Sequence, residues 1–243
     1  MLVPVDDFVG RSIYFFRDLD PKITALIKAC LSEGDVAFDI GSNLGVVAVT
    51  MAQCVGPTGK VHAFEPAPRI LGYLAETLVA NPSLPIMLHG FALGDRAGEL
   101  TLFTPPGNAG NASLASRHPG ADDGVTVEVK TLSQFVEDHG IDRIDFIKID
   151  VEGFESQVLA GGADAIASMK PKFLAFEEHG LFRSDQIPES IASLMQLGYR
   201  IFGIKRSYLR LILEELTTSH KVATWDYVAV SSDGISKIQR FIR

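Results

Sequence analysis

Residues 36–55 read Val36-Ala37-Phe38-Asp39-Ile40-Gly41-Ser42-Asn43-Leu44-Gly45-Val46-Val47-Ala48-Val49-Thr50-Met51-Ala52-Gln53-Cys54-Val55, and the period changes partway through. The first five residues form a short apolar run ending at a glycine, the pattern of a buried strand. Leu44, Val47, Ala48, Met51 and Val55 then recur at helical spacing, and Gly56-Pro57 stops the helix. Strand, tight turn and helix make the opening of a βαβ unit.

The same alternation continues outward. Residues 60–64 read as a second strand, followed by a helix over about 68–79, and 86–91 as a third. Residues 144–149 and 172–176 read as the fourth and fifth strands. Between them lies a helix over about 154–159, broken at Gly161-Gly162. Ile187, Ile191, Leu194 and Met195 mark another helix, and 199–204 and 225–230 two final strands. Strand–helix alternation of this length predicts an α/β fold with a mostly parallel sheet covered by helices on both faces. Two segments depart from it. Residues 1–33 precede the first core strand as an N-terminal cap with an amphipathic stretch (Ile23, Leu26, Ile27, Leu31). Residues 95–131 insert two alternating strands, 99–103 and 125–130, as a β-hairpin around a Gly/Pro/Asn-rich loop over 105–113. Loops of that length inside a compact domain are lids or binding loops. The expected organisation is a cap (1–33), one domain (34–231, with the insertion) and a C-terminal tail (232–243).

Composition narrows the function. The chain has 243 residues, 22 basic against 30 acidic, and a net charge of −8. No run of Lys and Arg interrupts that balance, which argues against a nucleic-acid partner. The two cysteines, Cys30 and Cys54, form no CxxC and fit a reducing compartment. No stretch of 18 apolar residues is free of charge, and the first residues lack the pattern of a signal peptide, so the expectation is a soluble cytoplasmic protein without a membrane partner.

In open α/β sheets ligands bind beyond the carboxyl ends of the strands. The first strand ends in Asp39-Ile40-Gly41-Ser42-Asn43-Leu44-Gly45, a DxGxNxG turn. Asn43 stands where a dinucleotide fingerprint has its second glycine, and no GK[ST] follows, so neither a nicotinamide site nor a P-loop is matched. A carboxylate beside this loop suits a ligand with positive charge, such as the ammonium and sulfonium of S-adenosylmethionine. Glu65, at the end of the second strand, can accept hydrogen bonds from both hydroxyls of a ribose. Phe91 and Ala92, at the third strand end, are placed to flank an adenine.

The fourth strand runs into Ile147-Lys148-Ile149-Asp150-Val151-Glu152-Gly153-Phe154-Glu155. This stretch, with DxGxNxG, Phe64-Glu65-Pro66, Ala92-Leu93-Gly94-Asp95, Val158-Leu159, Gly161 and Leu197-Gly198-Tyr199, resembles the FkbM-type methyltransferases over roughly residues 10–230. The resemblance implies a Rossmann-like class I methyltransferase sheet of seven strands, S-adenosylmethionine as cofactor, and transfer to a hydroxyl on a small molecule or glycan. It also implies that Asp39, Gly41, Asn43 and Gly45 cradle the methionine part, that Glu65 holds the ribose, and that Asn111 and Ser113 lie in a loop closing over the site. Asp150, with Glu177 and Glu178 at the adjacent strand end, makes a hard-oxygen set that could hold Mg²⁺. His179 follows them and is the candidate general base, with Asp150 as the other candidate catalytic residue. His62, His89, His118, His139 and His220 read as surface or packing residues.

Two other functions compete. A nicotinamide-dependent oxidoreductase lacks its GxGxxG. A non-catalytic module that keeps the cofactor pocket would bind S-adenosylhomocysteine without producing it.

Overall fold

In the computed structural model, residues 1–18, 20–105, 112–114, 123–178, 187–207, 210–217, 220–222 and 224–243 are described. The strands are β1 (Val36–Ile40), β2 (Lys60–Phe64), β3 (Ile86–His89), β4 (Ala92–Leu93), β5 (Gly98–Leu102), β6 (Val125–Lys130), β7 (Phe146–Ile149), β8 (Phe173–Glu177), β9 (Arg200–Ser207), β10 (Arg210–Leu216) and β11 (Asp226–Val230). The helices are α1 (Phe8–Phe16), α2 (Pro21–Cys30), α3 (Val46–Val55), α4 (Pro68–Val79), α5 (Leu132–Asp138), α6 (Glu155–Gly161), α7 (Ala163–Met169), α8 (Glu189–Gln196) and α9 (Ile235–Ile238).

The main sheet runs β10-β9-β11-β8-β7-β1-β2-β3. Strands β3, β2, β1, β7 and β8 pair in parallel, and β11 enters antiparallel between β8 and β9. This is the expected Rossmann-like sheet with one strand more than the expected seven. The extra strand, β10, folds back on β9 with Arg210 opposite Ser207 and Leu216 opposite Ile201. Leu211 and Leu213 are buried in the core on the α2 side, which is why the polar-looking stretch after 207 is a strand. A second correction concerns the third strand, which stops at His89. Ala92 and Leu93 pair instead with Val129 and Lys130 of the insertion. The inserted strands β5 and β6 pair antiparallel, as the alternation predicts.

The period of two along each strand sorts the interior into two faces. Phe38, Ile40, Phe64, Ile147, Ile149 and Phe176 pack with Phe135 of α5, Val158 of α6 and Ile166 of α7. Ala37, Val61, Ala63, Phe146, Phe173 and Val228 pack on the other side with Leu26 and Ile27 of α2 and Met51 of α3. Parity then decides where the polar residues go. Asp39, Lys148, Glu177 and Asp226 share their faces with Ala37, Phe146, Phe173 and Val228, so all four lie on the α2–α3 side, at the end of the sheet where the parallel strands finish.

Candidate functional site

The loop after β1 is built by its neighbours. Gly41 has φ +77°, and a Cβ there would lie 1.9 Å from the Asp150 carbonyl oxygen, so only glycine fits. The Gly41 and Ser42 amides donate to the Phe64 carbonyl at 3.1 and 2.9 Å. Asn43 adopts φ +50°, a conformation asparagine tolerates, and its own Oδ1 accepts from the Leu44 amide at 2.7 Å. Gly45, at φ +84°, turns the chain into α3. Glu65 pins this loop from the second strand end: Oε2 accepts from the Asn43 amide and Oε1 from the Ala67 amide, both at 2.8 Å. Burial nevertheless pushes the Glu65 carboxyl up to about 7. Each carboxylate oxygen keeps a further lone pair beyond these amides.

Lys148 is the residue that the sequence reading passed over. It is a single lysine in a strand otherwise Phe, Ile and Ile, buried on both sides, and that anomaly was the available signal. Its ammonium donates to the Gly41 carbonyl at 2.9 Å and lies 3.4 Å from Asp39 and 3.3 Å from Asp150. Burial pulls the Lys148 pKa down, but Asp150 and Asp39 outweigh it and hold the group protonated. Asp39 is fully buried, and neither of its oxygens has a hydrogen bond of good geometry. Burial raises its pKa, with Lys148 opposing. The Lys148 ammonium is therefore the partner that compensates this buried carboxylate.

Two cavities meet at this point. The larger, of about 280 Å³, lies between α1, α2 and α3 and the ends of β1, β7 and β8; Phe8, Val9, Ile23, Val47, Phe176 and Glu177 are in its wall. The smaller, of about 50 Å³, is lined by Phe64, Glu65, Phe91, Ala92, Leu102 and Leu114. Gly41, Asn43, Asp150 and Glu152 belong to both walls. Glu152 takes φ +53° just before Gly153, an uncommon conformation for a glutamate. Burial, with Asp150 and Glu155 nearby, pushes its carboxyl up to about 7. The turn is held by Glu155, whose Oε1 accepts from the Val151 and Gly153 amides at 3.0 and 3.2 Å.

The structure brings Gly41, Asn43, Glu65, Phe91, Ala92 and Asp150 into the walls of these cavities, with Asp39 buried behind them against Lys148 and Gly45 at the entrance to α3. Ser113 lies at the edge of the smaller cavity. It is buried, pairs with Phe103 through its backbone, and donates its hydroxyl to the Glu152 carbonyl at 2.9 Å, so it fastens the insertion to the site, while Ala112 and Leu114 beside it form cavity wall. Asn111 and His179 lie outside the described residues.

The expected Mg²⁺ set is corrected. Among the described residues no group of three His, Cys, Asp or Glu side chains is placed to hold a metal. Asp150 faces the Lys148 ammonium, and Glu178 accepts from the Ser190 hydroxyl at 2.9 Å, outside the cavity wall that holds Glu177. A charged lysine stands where a cation was expected.

The surroundings fit S-adenosylmethionine better: a loop in which a Cβ at Gly41 has no room, and paired cavities with Glu65 in the wall of one and Asp150 in both. No helix among the described residues is long and apolar enough to cross a membrane.

Comparison with known proteins agrees with this geometry. The methyltransferase FkbM domain matches residues 39–201. The hexuronic acid methyltransferase AglP of Haloferax volcanii is 31% identical over 191 residues, covering 74% of each chain. The 2-O-methyltransferase NoeI of Sinorhizobium fredii is 28% identical over 183 residues, 69% of this chain and 73% of that one. Among solved structures, an S-adenosylmethionine-dependent O-methyltransferase of Thermotoga maritima overlays with a TM-score of 0.46 at 15% identity, covering 90% of this chain and 69% of the other. The domain match over residues 39–201 shows that this chain belongs to the FkbM methyltransferase family.

Proposed function

We propose that the protein transfers a methyl group from S-adenosylmethionine to a hydroxyl on a small molecule or glycan. The observation that carries this reading is Glu65, which lines the smaller cavity and clamps the Asn43 amide of the DxGxNxG loop at 2.8 Å. The relatives named for sugar acids and 2-O-methylation support a hydroxyl acceptor. The net charge of −8 and the acidic cavity disfavour a nucleic acid. A cytoplasmic setting belongs to the same reading, since the cofactor is an intracellular metabolite and both cysteines are free.

Glu65 accepts the ribose hydroxyls, and Phe91 and Ala92 flank the adenine in the smaller cavity. Gly41, Asn43, Gly45 and the first turn of α3 take the methionine carboxylate, whose charge suits helix amides. Asp150 faces the positive end of the ligand, and Asp39 acts from behind the cavity wall through Lys148. When bound, the cofactor supplies an electrophilic methyl on a sulfonium for in-line displacement. Asp150, at the junction of the cavities, orients the acceptor hydroxyl, and most of the acceleration comes from that positioning. Glu152, tuned near neutral pH at the same junction, is the described group suited to take the hydroxyl proton. His179, two residues beyond β8, is the other candidate from the sequence. Among the described residues the donors do not assemble a Mg²⁺ site.

The test is transfer of a labelled methyl group from S-adenosylmethionine to a panel of sugars and polyols, with S-adenosylhomocysteine measured as the second product. Acceptor-dependent formation of both supports the reading. Binding of the cofactor without transfer to any acceptor would point to the non-catalytic module.

A further inference from the structure

The register of the sheet sets one lysine between two carboxylates. Asp39 of β1 and Lys148 of β7 are direct partners across the parallel pair. On the other flank of Lys148 stands Ala175 of β8, whose side chain offers no polar partner. Asp150 follows two residues after Lys148 and returns to the same face. One pleat back, the partners Ala37 and Phe146 are apolar and fully buried. Along these two strands, charge appears on this face only where the cavities open.

The three acceptors around the Lys148 ammonium differ in what holds them. The Gly41 carbonyl, 2.9 Å away, belongs to a loop fixed independently by the Gly41 and Ser42 amides on the Phe64 carbonyl and by Glu65 on the Asn43 amide. Asp39, 3.4 Å away, is fully buried. Asp150 is the exception. Its Oδ2 lies 3.3 Å from the ammonium, yet its side chain is 42% exposed and belongs to the walls of both cavities. Gly41 and Asp39 are therefore the anchors of the ammonium, and Asp150 is the group that it restrains. A carboxylate that exposed keeps rotamer freedom unless something fixes it. Held through Oδ2, it has Oδ1 left for a ligand.

Neutralising Asp39 alone would not call for a lysine. An apolar pair in the two positions is commonly as stable as a buried ion pair or more so, and Ala37 with Phe146 is such a pair on the same strands. The apolar solution would leave Asp150 without the ammonium beside it.

We propose that Lys148 is a positioning residue for methyl transfer: anchored on the Gly41 carbonyl and Asp39, it fixes the Asp150 carboxylate at the junction of the cavities for the acceptor hydroxyl. The proposal rests on the methyltransferase reading above and on the role given there to Asp150.

The experiment uses the full chain and, as acceptor, the sugar or polyol of highest turnover in the labelled-methyl panel. Wild type is compared with Asp39→Leu/Lys148→Met, with Asp150→Asn and with the triple variant for kcat, acceptor KM and affinity for S-adenosylhomocysteine. Replacing the pair together removes Lys148 without stranding Asp39, so the double variant should melt near wild type. Its kcat should fall at least about tenfold, while S-adenosylhomocysteine affinity stays within a few-fold because the loop keeps its other hydrogen bonds. The triple variant should be within about twofold of Asp150→Asn alone, since both changes act through one carboxylate. A folded double variant with wild-type kcat overturns the proposal. So does a fall in kcat matched by an equal loss of S-adenosylhomocysteine affinity, or losses that multiply in the triple variant. If the double variant does not fold, Lys148→Gln takes its place in the same cycle and is judged by the same outcomes. Cofactor binding and turnover of wild type are measured first. Absence of either defeats the methyltransferase reading and the proposal together, whereas an active wild type with any of the overturning results defeats the Lys148 proposal alone.

Discussion

Phe38 and Asp39 are adjacent on β1, yet their side chains enter two interiors that treat buried polar groups in opposite ways. On the Phe38 side, His62 and His89 are half-buried or better among Phe38, Phe64, Phe91 and Phe135. Their rings stack with an interplanar angle of 6°, and His62 Nδ1 lies 3.1 Å from His89 Nε2, one donating to the other. Burial lowers both histidines to about 4, so this pair is neutral and satisfied at neutral pH. On the Asp39 side the polar groups are charged, with the Lys148 ammonium set between the Asp39 and Asp150 carboxylates. A fold that keeps its buried groups neutral on one face and charged beside a cavity on the other marks the second as the face to test for ligand chemistry.

The largest effect should come from Lys148, which holds that charged face together. Lys148→Met leaves Asp39 and Asp150 facing each other, and denaturant unfolding should show a loss of roughly 3–5 kcal/mol, the usual effect of removing one partner from a buried pair. A loss below about 1 kcal/mol would mean that the carboxylates are relieved in another way. Next in size is Asp150→Asn. Turnover should fall by at least about 100-fold with cofactor affinity changed only a few-fold, because the residue positions the acceptor. A parallel drop in affinity would move Asp150 to the cofactor.

The paired face should respond differently. His62→Phe strands the His89 ring nitrogen and should lower stability by about 1–3 kcal/mol, whereas changing both histidines to phenylalanine should recover most of that loss. Neither variant should alter turnover at saturating cofactor by more than about twofold.

The smallest effect separates the two faces by the sign of their pH dependence. Glu65, Glu152 and Glu177 have folded pKa values raised to about 7, 7 and 8, so the folded chain holds more protons than the unfolded one above about pH 4.5. Their contribution is present below that pH and is lost as the pH rises towards 8. His62 and His89, lowered to about 4, act in the opposite sense: their contribution is present above about pH 6.5 and is lost as the pH falls through 4. Binding of the positively charged cofactor should therefore release protons. Calorimetry at pH 7 in buffers of different ionisation enthalpy should show that release for wild type and unchanged in His62→Phe.

Much of the parallel sheet could be read from the chain because its strands are short apolar runs closed by Gly, Glu-Pro or Asp. The bounds expected for β1, β2 and α4 agree with those found. The sheet edge was harder: β10 carries Arg210, Glu214 and Glu215 among its leucines, and only pairing with β9 makes it a strand. The strand-end residues Gly41, Asn43, Glu65 and Asp150 were visible as motifs. Which cap residues line the cavity was not, since Asp18, Asp20 and Phe8 reach it only through the packing of α1 and α2, which no local pattern encodes. The bond from the Ser113 hydroxyl to the Glu152 carbonyl is likewise a long-range fact that the loop sequence does not encode.

The central claim is that the strand-end loops carrying Gly41, Glu65 and Asp150, and not the buried His62–His89 pair, bind the cofactor. The most direct test is the affinity for S-adenosylhomocysteine of wild type, Glu65→Ala and His62→Phe, measured side by side. Glu65→Ala removes the ribose acceptor and the clamp on the Asn43 amide, and should weaken binding by about 2–3 kcal/mol, roughly 30- to 150-fold. His62→Phe should bind as wild type does. Equal affinity in wild type and Glu65→Ala, or a loss confined to His62→Phe, would contradict the account.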